Sequence, residues 1–395
     1  TTEIYTLSLH DALPISQTPD RTPRRLVLTW HADPAFSQAA NWRTESPVEK
    51  AVGQIAVASP DPKFVQGAST VDANSQAVTV AEGKVAHYHT VRFESLKPDT
   101  LYAYRVGDGT VWSEWAHFRT ASDKPKPFRF IYVGDAQNDI KSLWSRAIRG
   151  AFQEASQARF ILHAGDLINR ANADNEWEEW FYAAGWVNAM VPTIATPGNH
   201  EYERNAATNQ RELSRLWQPQ FEYPSNGAPG VDPETTYYVD FQGVRIVSLN
   251  SMRDFAVQAA WLEGVLKDNP NRWTIVTFHH PVFSLAGDRD NLELRNAWRP
   301  VLDKYGVDLV LQGHDHAYGR TKNLMTGMNI RDGKGGPVYV VSVSGPKMYK
   351  ITDPARKEPM KATAEDTQLY QIVDVENGKI VYRAFTATGK LFDHF

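Results

Sequence analysis

The apolar residues of this chain fall into two regimes. Between residue 24 and about residue 121 they come in short runs separated by turn signals, at 26–30, 54–57, 77–80, 88–93, 101–106 and 116–119. In the fourth run His89, Val91 and Phe93 share one face while Tyr88, Thr90 and Arg92 share the other. That is the period of two of a half-buried strand. Strands at this spacing, with little helix between them, predict a small β-sandwich. Lys124-Pro125-Lys126-Pro127 then reads as a short stiff linker, because proline cannot continue a sheet ladder. From Phe128 onward, buried-strand runs alternate with stretches of helical spacing. Strands are predicted at 130–133, 160–162, 192–195, 244–250, 273–278 and 307–311, and helices at 140–157, 175–190, 257–267 and 292–305. A polar excursion rich in Asn, Pro and Gly covers 202–235, and loops of that length in compact domains are usually functional or mobile. Three β runs, at 338–343, 369–373 and 379–385, close the chain. Alternating strand and helix predicts an α/β unit.

Three segments follow from this pattern: 1–23, a disordered or artefactual N-terminal stretch; 24–121, the sandwich; and 128–395, the α/β unit. Residues 7–16 look like a translated sequencing-adaptor read, and the first residues lack the basic and apolar regions of a signal peptide. No stretch approaches the roughly 18 apolar residues of a membrane span.

Composition narrows the chemistry. The chain has 395 residues, 42 basic and 46 acidic, with no run of like charge that asks for nucleic acid. There is no cysteine, which excludes disulfides, thiolate metal ligands and a cysteine nucleophile. His87, His89 and His117 lie in sandwich strands and read as structural histidines.

Four strand ends of the α/β unit carry polar groups of a particular kind. They are Gly134-Asp135-Ala136-Gln137, Gly165-Asp166, Gly198-Asn199-His200-Glu201 and His279-His280-Pro281, and Gly313-His314-Asp315-His316 adds a fifth. Each Gly-Asp alone reads as a helix cap after a strand. Together they place carboxylates, an amide and imidazoles where open α/β sheets bind ligands. Such oxygen and nitrogen donors, without sulfur, suit Mn, Fe or Zn, and their number suits two ions.

The order Gly-Asp, Gly-Asp, Gly-Asn-His-Glu, His-x-Pro, Gly-His-x-His resembles that of the calcineurin-like metallophosphoesterase superfamily. Leu96-Lys97-Pro98-Asp99-Thr100-Leu101-Tyr102 resembles the fibronectin type III signature, in which the tyrosine makes a corner hydrogen bond. With Tyr237-Tyr238-Val239-Asp240-Phe241 and Gln258-x-x-Trp261-Leu262-Glu263, it makes 24–395 similar to the purple acid phosphatases. The resemblance implies a four-layer α-β-β-α sandwich behind a fibronectin-like domain. It implies a phosphoric ester hydrolase with two divalent transition metals and in-line attack of a metal-bridging hydroxide on a phosphate monoester. Asp166 would bridge the ions, Asp135 and His316 would complete the first site, and Asn199, His279 and His314 the second. His200 would protonate the leaving group, with Glu201 orienting it. A phosphodiesterase on nucleotide or phospholipid-type esters, or a non-catalytic binding protein on the same scaffold, is the alternative. The resemblance also implies a secreted or periplasmic protein. The expected partner is a small phosphoester, and the sequence is silent on oligomeric state.

The chain departs from this pattern twice. Position 169 is Asn where purple acid phosphatases carry the iron-binding Tyr responsible for their colour, and position 137 is Gln where many superfamily members carry His. Gln137 is taken as a metal ligand through its amide oxygen.

Overall fold

The coordinates are a computed structural model that describes residues 20–286, 289–322, 336–351, 359–376 and 378–395. Most of the stretch expected to be disordered or artefactual lies outside these residues.

The N-terminal unit is a sandwich of two four-stranded sheets. One sheet runs Arg24–Thr29, Gln38–Thr44, Lys84–Phe93, Asn74–Ala81, and the other Ser69–Asp72, Val52–Val57, Leu101–Gly107, Ala116–Arg119. Two of these strands, Gln38–Thr44 and Ser69–Asp72, were not expected. Gln38–Thr44 is buried along its whole length, so it shows no in-out alternation. Its polar side chains are satisfied instead: Gln38 donates to Thr29 O at 2.7 Å and Asn41 to Thr90 Oγ1 at 2.9 Å. The corner hydrogen bond is present, with Lys97 N donating to Tyr102 Oη at 2.8 Å. His89 sits between Ser75 Oγ (2.7 Å) and Thr44 Oγ1 (3.0 Å), the structural role expected of it.

The sandwich shares a core with the α/β unit. Val27, Trp30, Val80 and Tyr88 belong to the same buried cluster as Phe128, Phe160 and Phe241. Asp174 pins the seam from the other side, accepting from Arg25 at 2.7 Å and from Arg43 at 2.5 Å.

Two sheets build the α/β unit. The first has six strands in the order Thr193–Ala195, Ile161–His163, Phe128–Val133, Leu369–Val375, Ile380–Thr386, Leu391–His394, and its first three run parallel. The second has seven: Tyr237–Phe241, Val244–Ser248, Trp273–Thr277, Leu309–Gln312, Val338–Val341, Tyr318–Thr321, Met360–Ala364. Helix Ser145–Glu154 packs on the first sheet. Helices Phe255–Lys267 and Leu292–Lys304 cover the second, burying Leu262, Leu266, Trp298 and Leu302 against Val247, Val276 and Val310. The inner faces meet each other, giving the α-β-β-α layering expected. Tyr132 crosses between the sheets, its hydroxyl accepting from Gln312 N at 2.9 Å and donating to Gln312 O.

The helix expected over 140–157 begins as a π turn, Ile140–Trp144, and the one expected over 175–190 is α-helical over Asp174–Ala184 and continues as a 3-10 helix over Gly185–Ala189, with Gly185 at φ +58°. The excursion is ordered and packed: it carries the hairpin Tyr202–Arg204/Arg211–Leu213 and buries Leu216, Trp217 and Phe221. Among the described residues no helix is long and apolar enough to cross a membrane.

Candidate metal centre

Parallel strands deliver their C-terminal ends to one edge, and both sheets do so here. The first sheet supplies Asp135, Asp166 and Asn199; the second supplies His279, His314 and His316. Asp135, Asp166, His314 and His316 all hold left-handed backbone, with φ of +56°, +52°, +80° and +48°. Each chain reverses sharply as it leaves the sheet, which turns these side chains inward. Glycine is required at two of the turns by close approach. A Cβ on Gly198 would collide with the Asp166 carboxylate, and one on Gly313 would lie 2.5 Å from Asp135 Oδ2.

Two donor groups result. Asp166, His279 and His314 each offer an atom within 4.8 Å of the others, and so do Asp135, Asp166 and His316. Asp166 belongs to both. Its Oδ2 lies 3.1 Å from His279 Nε2, which in turn lies 3.1 Å from His314 Nδ1. Asp135 accepts from His314 N through both oxygens, at 2.9 and 2.8 Å, and stands 3.8 Å from His316 Nε2. Backbone carbonyls fix the rings, as His279 Nδ1 donates to Ala164 O at 2.8 Å and His316 Nδ1 to Lys347 O at 3.1 Å. Each therefore turns its Nε2 into the centre.

Two amides complete the set. Asn199 Oδ1 and Gln137 Oε1 are buried acceptors without a hydrogen-bond partner. Gln137 Nε2 lies 2.9 Å from both Asp166 Oδ2 and His316 Nε2. A half-turn of that amide exchanges N for O and aims Oε1 where the carboxylate and imidazole converge. Orphaned amide oxygens, buried carboxylates and inward-facing imidazoles are the donor set of a divalent transition cation.

The electrostatics agree. Burial pushes the Asp135 carboxyl well above its usual range, and nearby Asp166 adds to this. Asp166 is held below its usual range: burial opposes ionisation, but His279 outweighs it. Burial lowers His279 as well, yet Asp166 raises it to about 9. Burial and Lys347 lower His316 to about 3. A cation would offset the burial of the carboxylates and keep the imidazoles neutral.

His200 is partly open to solvent, its Nε2 4.0 Å from Asp166 Oδ2. Its Nδ1 donates to the carbonyl of Asn169 at 2.5 Å. The expectation that Glu201 orients His200 is therefore corrected. Glu201 is fully buried and accepts from Gly198 N (2.6 Å), Asp166 N (2.9 Å) and Leu167 N (2.8 Å). It binds the second and third strand ends together. His280, not counted as a ligand, takes Ser251 Oγ at 2.9 Å and packs its ring 4.2 Å from that of His314. Arg204 only closes its own hairpin, donating to Asn209.

Three contributors were not foreseen. Asp315, between the two histidines, is buried and accepts from Ser284 Oγ at 2.9 Å and Leu285 N at 2.5 Å, which anchors the loop from below. Arg289 donates to His314 O at 2.6 Å and lies over the ring of Tyr349, which meets His316 edge-on at 4.9 Å. The third is the Asn169 carbonyl. The alternation in Gly313–His316 holds a signal for Asp315; nothing in the sequence marks the other two.

Comparison with known proteins fits this geometry. The calcineurin-like phosphoesterase family matches residues 128–318, and the purple acid phosphatase N-terminal domain matches residues 23–120. A probable purple acid phosphatase of Arabidopsis thaliana is 26% identical over 343 residues, covering 81% of this chain and 77% of that one. An Fe(3+)-Zn(2+) purple acid phosphatase of the same plant is 24% identical, covering 75% of this chain and 67% of that one. The fold matches the solved structure of a purple acid phosphatase from yellow lupin (Lupinus luteus) seeds, with TM-score 0.77 and 16% identity over 96% of this chain and 74% of that one. The chain belongs to the calcineurin-like metallophosphoesterases, and it carries the N-terminal domain of the purple acid phosphatases in front of the phosphoesterase domain.

Proposed function

We propose that this chain hydrolyses phosphate monoesters at a centre with two metal positions that share Asp166. The carrying observation is the pair of donor triads with that one carboxylate in common. The orphaned oxygens of Asn199 and Gln137 support it. Asp135, Gln137 and His316 would hold one ion, and Asn199, His279 and His314 the other, from among Mn, Fe and Zn. Bound there, divalent ions supply Lewis acidity and neutralise charge on the phosphoryl group.

The remaining work falls to the chain's own groups. Glu201 keeps the loops of Asp166 and Asn199 in register through three backbone N–H groups. His200 is the proton carrier. With Nδ1 tied to Asn169 O, its Nε2 is the nitrogen that faces the site and can give a proton to the leaving oxygen. Its open side lets it regain that proton from solvent. His280, held by Ser251 beside His314, excludes water from that flank. The substrate is a small phosphoester, and the location secreted or periplasmic, as the family resemblance supports.

The test is turnover of 4-nitrophenyl phosphate against bis(4-nitrophenyl) phosphate, with metal content, for wild type and Asp166→Asn. Expected are preference for the monoester, about two equivalents of metal, and loss of both activity and metal in the variant. A metal-free, folded and inactive wild type after supplementation with Mn²⁺, Zn²⁺ and Fe²⁺ would refute it.

A further inference from the structure

A cleft of about 1480 Å³ opens at the far end of the first sheet. It lies between the sandwich strand Ala116–Arg119 and the start of strand Phe128–Val133, whose other end leads to Asp135. At ~3.3 Å per residue, that strand separates the cavity from the metal centre by roughly 20 Å. The cleft is larger than the roughly 300–1,000 Å³ of most small-molecule sites, so a ligand would fill only part of it.

Its charge contrasts with that of the whole. The chain is net acidic, at −4, yet five cationic side chains face this cavity against two carboxylates. Both carboxylates are already engaged. Asp374 takes Arg129 at 2.6 Å and also Arg383, and Glu376 pairs with Lys379 at 3.3 Å. Arg119 and Arg159 remain. Arg119 stands 3.8 Å from Asp99. Arg159 has no carboxylate within 4 Å among the described residues; it donates from Nη2 to Arg119 O (3.1 Å) and Thr120 O (2.8 Å). Burial, then the neighbouring Arg119 charge, lowers its pKa to about 10. Asp99 is the carboxylate that both guanidinium groups feel, and it touches neither closely. Two neighbouring guanidinium groups without a close carboxylate suit an oxyanion, which the planar fork binds in two places.

Part of the wall is apolar, although His117, Ser156 and Gln157 also line it. Phe128 and Phe152 line it, together with Met190, which is 37% exposed. Trp186, 63% exposed, continues that surface, edge-on to Phe152 at 5.2 Å. Exposed large apolar side chains beside a cationic cleft suit a ligand with both characters.

We propose that this cleft binds an anionic amphiphile, with its oxyanion head between Arg119 and Arg159 and its apolar part along Phe128, Phe152 and Met190. The site is separate from the metal centre and does not depend on how that centre is read.

Octylphosphonate, whose C–P bond resists hydrolysis, is the probe, and hydrogen exchange read by mass spectrometry is the measurement on the full chain with its metals. Slower exchange is expected at residues 155–160 and 378–381, in addition to any effect at the catalytic loops. Arg159→Met should weaken the first effect about tenfold or more, leaving metal content and the catalytic-loop effect unchanged. Arg119→Met, at a more exposed position, should do the same and serves if Arg159→Met fails to fold. Inorganic phosphate should protect 155–160 far less than octylphosphonate does. Arg159-dependent sedimentation with phosphatidylcholine vesicles containing phosphatidylglycerol would identify a lipid head group as the source, whereas octylphosphonate binding without it would identify a free amphiphile. Protection confined to the catalytic loops, or cleft protection unchanged in both variants, overturns the proposal.

Discussion

Replacing Glu201 should divide the geometry of the centre from its charge. In Glu201→Ala three buried N–H groups, on Gly198, Asp166 and Leu167, lose their acceptor. Each unsatisfied buried donor costs about 1–3 kcal/mol. Against this, burial and the Asp166 charge push the Glu201 carboxyl from 4.5 to about 7. That displacement corresponds to about 3 kcal/mol against the ionised form, which either replacement recovers. In Glu201→Gln the amide oxygen can take the place of Oε2 and keep Gly198 and Asp166, so that only the Leu167 N–H is opposed by another donor. The balance predicts near-neutral stability for Gln and a loss of a few kcal/mol for Ala. Metal affinity should follow the geometry: Gln retains most of it, whereas Ala lets the Asp166 and Asn199 loops part and loses it. Thermal unfolding and metal titration of the two variants decide the matter. Equal metal loss in both would show that the carboxylate acts through its charge, and the positioning argument would fail.

Four further outcomes are expected. His200→Ala keeps its metals but slows alkyl phosphates by about 10²–10⁴-fold, and 4-nitrophenyl phosphate less, because a good leaving group needs no proton; steady-state rates on both esters check this. Asp308 is buried, accepts from Thr274 N at 2.8 Å, and is pushed up to about 7 by burial. A carboxyl raised in the folded state favours folding below its unfolded value near 3.8 and loses that contribution as pH rises through about 7. Asp308→Asn should therefore raise the melting temperature at pH 8 and leave it nearly unchanged at pH 3. Asp174→Ala strands the buried Arg43 with Glu45 alone and should cost about 3 kcal/mol in denaturant unfolding. Iron-loaded, air-oxidised protein should show no intense visible band: position 169 is Asn, and the Tyr318 hydroxyl is taken by Asp393 at 2.7 Å. A band lost in Tyr349→Phe would mean that the tyrosine beside His316 has become an iron ligand.

The centre was legible because each strand end announces itself. An apolar run ending in Gly-Asp, Gly-Asn or Gly-His states both where the sheet stops and which donor comes next, and the parallel topology does the rest. What the sequence hid were roles of the backbone and strands without alternation. The family resemblance implies that Glu201 orients His200, but the turn Asn199–Glu201 sends the carboxylate inward to three amides and leaves the ring for the Asn169 carbonyl. A carbonyl is common to every residue, so no side-chain pattern could nominate it. Gln38–Thr44 escaped because both its faces are buried and its polar groups are bonded within the sandwich.

The division of donors between the two sheets has a consequence for assembly. Each donor triad draws on both sheets: one brings carboxylates, with the two amides beside them, and the other brings imidazoles. A cation held between them is a cross-link placed at the mouth of the sheet interface, as the Tyr132 hydroxyl is within it. Ligand binding to the docked form alone adds about 4 kcal/mol to docking at a thousandfold excess over Kd. Metal supply would then act as a fastener for the tertiary fold, tightening the contact between two sheets that share no strand.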